Sequence, residues 1–149
     1  MSAHRFALRL RARLAEFELD VTLASKARHL GLFGPSGAGK TTLLELVAGW
    51  REPVEGRIEL GGELLYDSAR GVSLPVRARG LGYVPQEGLL FPHLDVRANL
   101  AAGLGRALAR SGDPRALFRR VCAVLELDAL LERFPATLSG GERQRVALG

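Results

Sequence analysis

Several residue types are scarce in this sequence of 149 residues, which has one cysteine, one methionine, one tryptophan and two lysines. The single thiol, Cys122, excludes an internal disulfide and fits a reducing compartment. It has the helical spacing of an apolar side chain, which predicts buried filler rather than a reactive thiol. No apolar run reaches 18 residues, so no membrane-spanning helix is predicted. The first residues also lack the apolar core of a secretory signal.

The scarcity of lysine leaves arginine as the main basic residue, and Lys26 and Lys40 are the two lysines among 21 basic side chains. The formal net charge of +5 could indicate a nucleic-acid partner. The arginines are scattered among acidic residues, however, which predicts a solvated surface and no nucleic-acid partner. Hydrophobic residues make up 47% of the chain and charged residues 25%. This composition is typical of one globular domain with a core.

Residues 34–42 read GPSGAGKTT and match the phosphate-binding pattern G-x-x-x-x-G-K-[ST]. A short apolar run, His29–Phe33, precedes them and predicts a strand, and the spacing of Thr42–Val47 predicts a helix. Strand, glycine-rich loop and helix are the setting that this motif requires. The alternative, a glycine-rich turn before an amphipathic helix, has less support from the pattern.

The residue types of this loop suit a polyphosphate. A backbone with little side-chain bulk can wrap closely around phosphate oxygens, and a helix N-terminus adds free N–H groups and a positive dipole end. Lys40 can reach the β- and γ-phosphates, and the Thr41 hydroxyl can bind Mg²⁺. The predicted nucleotide-binding residues of the loop are Gly34, Pro35, Ser36, Gly37, Ala38, Gly39, Lys40, Thr41 and Thr42.

Residues 5–23 alternate between apolar and charged side chains in two runs, which predicts an antiparallel hairpin. A turn around Leu14–Ala15 would pair Arg11 with Glu18 and Leu10 with Leu19, placing opposite charges on one face. Poor turn chemistry at that point predicts a slightly wider loop.

Further along the chain, residues 55–66 predict two strands around a Gly-Gly turn, and residues 80–84 predict another short strand. Asp95 is predicted to cap one helix, and Asp113 followed by Pro114 is predicted to open another that runs to about Leu127, with Val124 on its apolar face.

Residues 138–145 read LSGGERQR, and a run with helical spacing follows. Ser139, Gly140 and Gly141 before a helix can form a second anion-binding N-terminus, although a simple helix cap would use the same residues.

Three motifs then stand in a fixed order: the phosphate loop, YVPQ at residues 83–86, and LSGGERQR. In the identity and order of these motifs the sequence strongly resembles the ATP-binding subunit of ABC transporters, over nearly its whole length. The stretches LLYDS (64–68) and FPHL (91–94) are most similar to importer ATPases of the molybdate type.

The resemblance implies an α/β P-loop NTPase fold with an N-terminal antiparallel β subdomain, a partial parallel core sheet and a helical subdomain. Residues 1–86 would form the nucleotide-binding core, residues 87–138 the helical subdomain, and residues 139–149 the start of the signature helix. Phe17 is the nearest candidate for stacking on adenine, although core packing is at least as good an interpretation of that side chain.

The resemblance also implies ATP and Mg²⁺ as cofactors, with Lys40 and Gln86 as catalytic residues and with Thr41 and Gln86 near the metal. Signature residues would contact the ATP of a second copy in a head-to-tail homodimer. The implied partners are a transmembrane permease and, indirectly, a solute-binding protein. The implied location is the cytoplasmic face of the cell membrane. The signature contacts implied are Ser139, Gly140, Gly141 and Glu142.

Members of this family continue to an apolar strand ending in Asp, a catalytic Glu and a switch His, whereas this sequence ends at Gly149. We therefore expect the 149-residue chain to be the N-terminal portion of a larger subunit that binds nucleotide without competent hydrolysis. Two alternatives remain for the parent protein: a soluble, non-transport ABC-type ATPase, and an unrelated phosphate-loop kinase or GTPase.

Overall fold

The computed structural model describes residues 5–13, 18–86, 89–102 and 113–149. The chain divides into two compact units, Met1–Tyr83 and Val84–Gly149. Among the described residues, no helix has both the length and the apolar character needed to cross a membrane.

The first unit is built on an antiparallel sheet with the strand order β2-β1-β3-β4-β5. Its long strands alternate apolar and polar side chains, so one face of the sheet is buried and the other is wet. The strands are β1 (Phe6–Arg13), β2 (Glu18–Ser25), β3 (Glu55–Leu60), β4 (Glu63–Asp67) and β5 (Val72–Ser73).

Strands β1 and β2 form the predicted hairpin, but the predicted register is wrong by two residues. Arg11 lies opposite Asp20, and Leu10 lies opposite Val21 rather than Leu19. A shift of two leaves every side chain on its predicted face, since the side-chain period of a strand is two. Arg11 therefore still reaches the Glu18 carboxylate, at 2.9 Å. The predicted turn and Phe17 fall in residues 14–17, outside the described residues.

Helix α1 (Lys40–Ala48) supplies the second layer of the first unit. Leu43 and Leu46 belong to the same buried cluster as Leu10, Ile58 and Leu65 of the sheet. Fully burying such a side chain contributes about 1.5–3 kcal/mol, so this packing fixes the helix on the sheet. The cluster comprises Leu8, Leu10, Ala12, Leu19, Leu43, Leu46, Ile58, Leu65 and Tyr66.

The two short strands predicted for a parallel core sheet, His29–Phe33 and Gly80–Val84, are not formed: both stretches lie outside any strand. A strand needs a neighbouring backbone to satisfy its N–H and C=O groups, and no described strand pairs with either stretch. Phe33 is accordingly 95% exposed. The α/β class and the antiparallel subdomain are confirmed, whereas a parallel sheet is absent from the described residues.

The second unit is helical in its described parts. Residues 96–102 form α2, Pro114–Leu125 form α3, and Gly140–Leu148 form α4, with short 3₁₀ turns at Asp128–Leu130 and Pro135–Thr137. These elements surround a second core of Val96, Leu100, Cys122, Leu127, Leu130, Leu131, Leu138 and Val146.

Two predicted helix caps in this unit are confirmed. The Asp95 carboxylate accepts a hydrogen bond from the Ala98 N–H at 2.7 Å, and the Asp113 carboxylate accepts from the N–H groups of the first turn of α3. Such caps satisfy backbone donors that the helix itself leaves without acceptors.

Helix α3 departs from its prediction in two ways. It ends at Leu125, because Glu126 takes a left-handed conformation with φ 55° and turns the chain. Val124, predicted on the apolar face, is 72% exposed. Cys122 is buried as predicted, and this burial raises the pKa of its thiol, which favours inert filler over a reactive group.

Gly56 is the point where β3 comes closest to β1. Its φ is 134°, and a Cβ atom there would lie 2.2 Å from the Arg9 carbonyl oxygen. We expect Gly56→Ala to lower the free energy of unfolding by roughly 2–4 kcal/mol, because strain and a backbone clash add together. Urea unfolding would measure this change.

Gly61→Ala is the matched control for this substitution. Gly61 also has positive φ, at 60°, but a Cβ atom added there would have no neighbour within 4 Å. We expect a loss of only about 1 kcal/mol from the left-handed backbone. Equal losses for the two variants would contradict the assigned role of Gly56.

Candidate functional site

The loop at residues 34–39 presents its backbone to solvent. Gly37 and Gly39 have φ values of 83° and 82°, in the left-handed region that glycine enters most easily. The Ala38 N–H donates to the Pro35 carbonyl at 3.3 Å and closes a turn. Residues 34–38 are exposed. The sequence therefore folds here into a small-residue turn whose N–H groups a ligand can approach.

Lys40 lies across this loop. Its Nζ donates to the Gly34 carbonyl at 2.8 Å and to the Pro35 carbonyl at 2.7 Å. Because an ammonium group has three donors, one donor remains after these two bonds. The structure thus holds a positive charge at the mouth of the loop.

The loop leads directly into the N-terminus of α1. No side chain caps this terminus, and its first turn contains no acidic residue. The first N–H groups of a helix lack intrahelical acceptors and carry the positive end of the dipole. Thr41 is exposed in this first turn. Loop, lysine and helix end therefore form one electropositive surface in the first unit.

The signature residues lie at the start of α4 in the second unit, where Ser139 is the N-cap. The Glu142 N–H donates to the Ser139 hydroxyl at 3.3 Å, and the Ser139 N–H donates to the Glu142 carboxylate at 2.6 Å. This reciprocal pair is a capping box. The bond from the Ser139 backbone lowers the pKa of Glu142. Ser139 and Glu142 therefore do act as a simple helix cap, which was one of the two interpretations of the sequence.

Gly140 and Gly141 have a different explanation. Both are exposed, and a Cβ atom on either would meet nothing within 4 Å. Neither has positive φ. The described fold therefore needs no glycine at these positions, and helix propensity disfavours it. A surface free of side chains is useful where another molecule approaches the backbone.

Gln86 is exposed and lies in a turn at the start of the second unit. Residues 87–88 after it lie outside the described residues. The structure thus gathers residues 34–42 into one surface of the first unit and residues 139–142 into one helix end of the second.

Sequence reasoning missed Arg79, which is 3% exposed in the first unit. Its guanidinium donates to three backbone carbonyls, those of Leu46, Val47 and Leu74. The residue stands in irregular chain between Pro75 and Gly80, where no periodicity marks it as buried.

The Thr41 hydroxyl, in the first turn of α1, is an oxygen ligand that suits a hard metal ion. Mg²⁺ is bound by few protein oxygens and keeps waters and substrate phosphates as its other ligands. The Thr41 hydroxyl is such an oxygen at the mouth of the loop. Across the described ranges, no group of three or more His, Cys, Asp and Glu side chains is placed to hold a metal by itself.

Comparison with known proteins defines the class. The sequence pattern of the ABC transporter family matches residues 18–149. The chain therefore belongs to the ABC transporter family, as its motifs predicted.

Particular relatives carry a more specific description. The molybdenum import ATP-binding protein ModC of Paramagnetospirillum magneticum is 48% identical over 142 residues, which cover 95% of this chain and 39% of that protein. The molybdenum import ATP-binding protein ModC 1 of Azotobacter vinelandii is 50% identical over 149 residues, which cover 99% of this chain and 41% of that protein. The chain thus spans about two fifths of the length of these relatives.

A solved structure, described as the ATP binding subunit of an ABC transporter, is similar to this chain with a TM-score of 0.68 and 26% sequence identity. The match covers 96% of this chain and 59% of that one. The fold predicted from the motifs is therefore supported by an independent structural likeness.

The capping box makes a prediction about pH. The folded-state pKa of Glu142 lies below its ordinary value of 4.5, so the carboxylate stabilises the fold fully above that pH. This stabilisation is lost as the pH falls from 4.5 through the lower, folded-state pKa. We expect Glu142→Gln to unfold at lower urea than the wild type at neutral pH, with the gap closing in acid. The helical circular dichroism signal would measure this.

Glu132→Gln is the control for this experiment. The Glu132 side chain is 90% exposed, and its ion pair with Arg97 spans 3.7 Å, so we expect almost no effect at any pH. A gap for Glu142→Gln that stays constant from neutral to acid pH would show that its carboxylate does not stabilise α4 by charge.

Proposed function

We propose that this chain is the nucleotide-binding part of an ATP-hydrolysing subunit that energises the import of molybdenum, as the molybdate anion. The observation that carries the proposal is the uncapped N-terminus of α1 behind an exposed glycine-rich loop, with the Lys40 ammonium held across its mouth. Fixed positive charge and free N–H groups together suit a polyphosphate.

In this proposal residues 34–42 hold the phosphates of ATP. The N–H groups of the loop and the first turn of α1 bind the phosphate oxygens. Lys40 exchanges its two carbonyl partners for the β- and γ-phosphates, whose negative charge makes them the stronger acceptors. The Gly34 and Pro35 carbonyls already hold the ammonium group at the loop, so little side-chain ordering is needed on binding.

Thr41 and Gln86 would hold Mg²⁺ through a hydroxyl and an amide oxygen. When bound, the ion supplies positive charge at the β- and γ-phosphate oxygens. Gln86 also has the proposed catalytic role of orienting the attacking water and relaying the nucleotide state to the membrane subunit.

The start of α4 is proposed to contact the γ-phosphate of ATP on a second copy of the protein, in a head-to-tail homodimer. The bare surface of Gly140 and Gly141 supports this assignment, because the fold itself leaves that space open. The Ser139 hydroxyl accepts one bond within the capping box and retains a proton to donate. Glu142 would act by holding Ser139 in place.

The proposed domain arrangement is a nucleotide-binding core at residues 1–86, a helical subdomain at residues 87–138 and the start of the signature helix at residues 139–149. The proposed partners are a transmembrane permease and, through it, a solute-binding protein, which place the subunit at the cytoplasmic face of the membrane. The names of the relatives, which describe molybdenum import, support the assignment to an import system.

Lys40→Ala tests the nucleotide site. We expect ATP binding to weaken between about tenfold and 100-fold, because a hydrogen bond to a charged group contributes about 1.5–3 kcal/mol. Isothermal titration calorimetry with ATP and Mg²⁺ would measure the dissociation constant. Lys26→Ala is the matched control, since Lys26 is the other lysine of the chain and is exposed outside the loop. Equal affinities for Lys40→Ala and the wild type would refute the proposal.

A second experiment tests the transported substrate. We expect inactivation of the gene to lower the molybdenum content of source cells grown at limiting molybdate, as measured by elemental mass spectrometry. A gene copy carrying Lys26→Ala should restore the content, whereas one carrying Lys40→Ala should not, because only Lys40 lies at the phosphate loop. Unchanged molybdenum after inactivation would count against molybdate and leave the nucleotide site as the surviving part of the proposal.

A further inference from the structure

The C-terminal end of α1 is tied down by a buried arginine from outside the helix. The Arg79 Nη1 donates to the carbonyls of Leu46 and Val47 at 2.9 and 2.8 Å, and its Nε donates to the Leu74 carbonyl at 2.8 Å. Arg79 itself is 3% exposed. One side chain therefore joins the last turn of the helix to the chain after β5.

A guanidinium suits this place physically. The last carbonyls of a helix lack intrahelical donors and carry the negative end of the dipole, and α1 has no basic residue in its own last turn. Burial lowers the pKa of Arg79, and the charge of Glu52 opposes this effect. Arg79, which is distant in sequence, thus supplies the positive charge at the C-terminus of α1 that the helix's own residues lack.

Gly49 is shaped to admit this guanidinium. It ends α1 with φ 85°, and a Cβ atom at that position would lie 2.6 Å from the Arg79 Nε and 2.7 Å from its Cζ. The glycine is therefore needed twice, for the backbone turn and for the approach of Arg79.

A second contact ties the same two segments together. The ring of Trp50, immediately after Gly49, meets the ring of Tyr83 edge-on, with centroids 4.9 Å apart and an interplanar angle of 66°. The backbone N–H of Trp50 also donates to the Glu45 carbonyl of α1 at 2.9 Å. Residues 79 and 83 thus both hold the end of α1, and the chain reaches Gln86 three residues later.

We infer that Arg79 is a positioning residue for the nucleotide site, an inference that rests on the proposed function. Helix α1 has nine residues, so its ends are about 13 Å apart at 1.5 Å per residue. Its first residue, Lys40, lies at the phosphate loop, and its last turn is held by Arg79. When Lys40 turns from its two carbonyl partners to the phosphates of ATP, the small movement is carried along this short helix to the contact of its last turn with Arg79 and to the contact of Trp50 with Tyr83.

Trp50 makes the inference measurable, because it is the one tryptophan of the chain. We expect its fluorescence to change as ATP and Mg²⁺ are added, with the same midpoint as binding measured by calorimetry. In Arg79→Met, which keeps the stem and removes the donors, we expect ATP to bind at least about fivefold more weakly. At saturating ATP the Trp50 response should be absent, and Arg79→Lys should restore part of it because it retains the positive charge.

Arg77→Met is the matched control, since Arg77 is an exposed arginine two residues away. It should keep both the affinity and the Trp50 response of the wild type. If Arg79→Met does not fold, as judged by its circular dichroism, the wild-type titration and Arg79→Lys still decide the question. Calorimetric binding of ATP without any change at Trp50, or wild-type affinity and a full response in a folded Arg79→Met, would overturn the role of Arg79. Absence of calorimetric binding would instead overturn the proposed function and this inference with it.

Discussion

Backbone groups at the end of a helix cannot be satisfied within that helix, and this constraint shapes the first unit. At the N-terminus of α1 no side chain caps the N–H groups. At its C-terminus the carbonyls accept bonds from the Gly49 N–H and from Arg79. One end of the helix is thus open to a ligand and the other is bonded to the protein, so the helix can present its free donors without losing its place.

Helix α4 meets the same constraint in the opposite way. Ser139 and Glu142 cap its N-terminus from within, through two reciprocal bonds. These two bonds do not involve the N–H groups of Gly140 and Gly141, so an approaching anion would meet two backbone donors, the bare glycine surface and the helix dipole. The two motifs differ physically: no side chain caps the helix behind the phosphate loop, whereas Ser139 and Glu142 cap the signature helix.

Features that depend on neighbours in sequence could be predicted, and those that depend on distant partners could not. The caps at Asp95 and Asp113 follow from local chemistry. The hairpin register was missed because a shift of two residues preserves the side-chain pattern. The strands expected at residues 29–33 and 80–84 require pairing that no nearby residue specifies. Arg79 was missed because its acceptors on α1 lie 32 and 33 residues away in the chain.

At Gly140 and Gly141, a side chain that stabilised α4 would also cover the bare backbone surface at the start of the helix. Alanine at either position would meet open space, and replacing a glycine whose backbone conformation alanine can adopt stabilises a fold by about 0.4–1 kcal/mol. Selection of variants for thermal stability alone would therefore favour filling this surface. Redesign of this chain for stability should treat both glycines as fixed, because filling them would remove the bare backbone on which the proposed contact with a second copy depends.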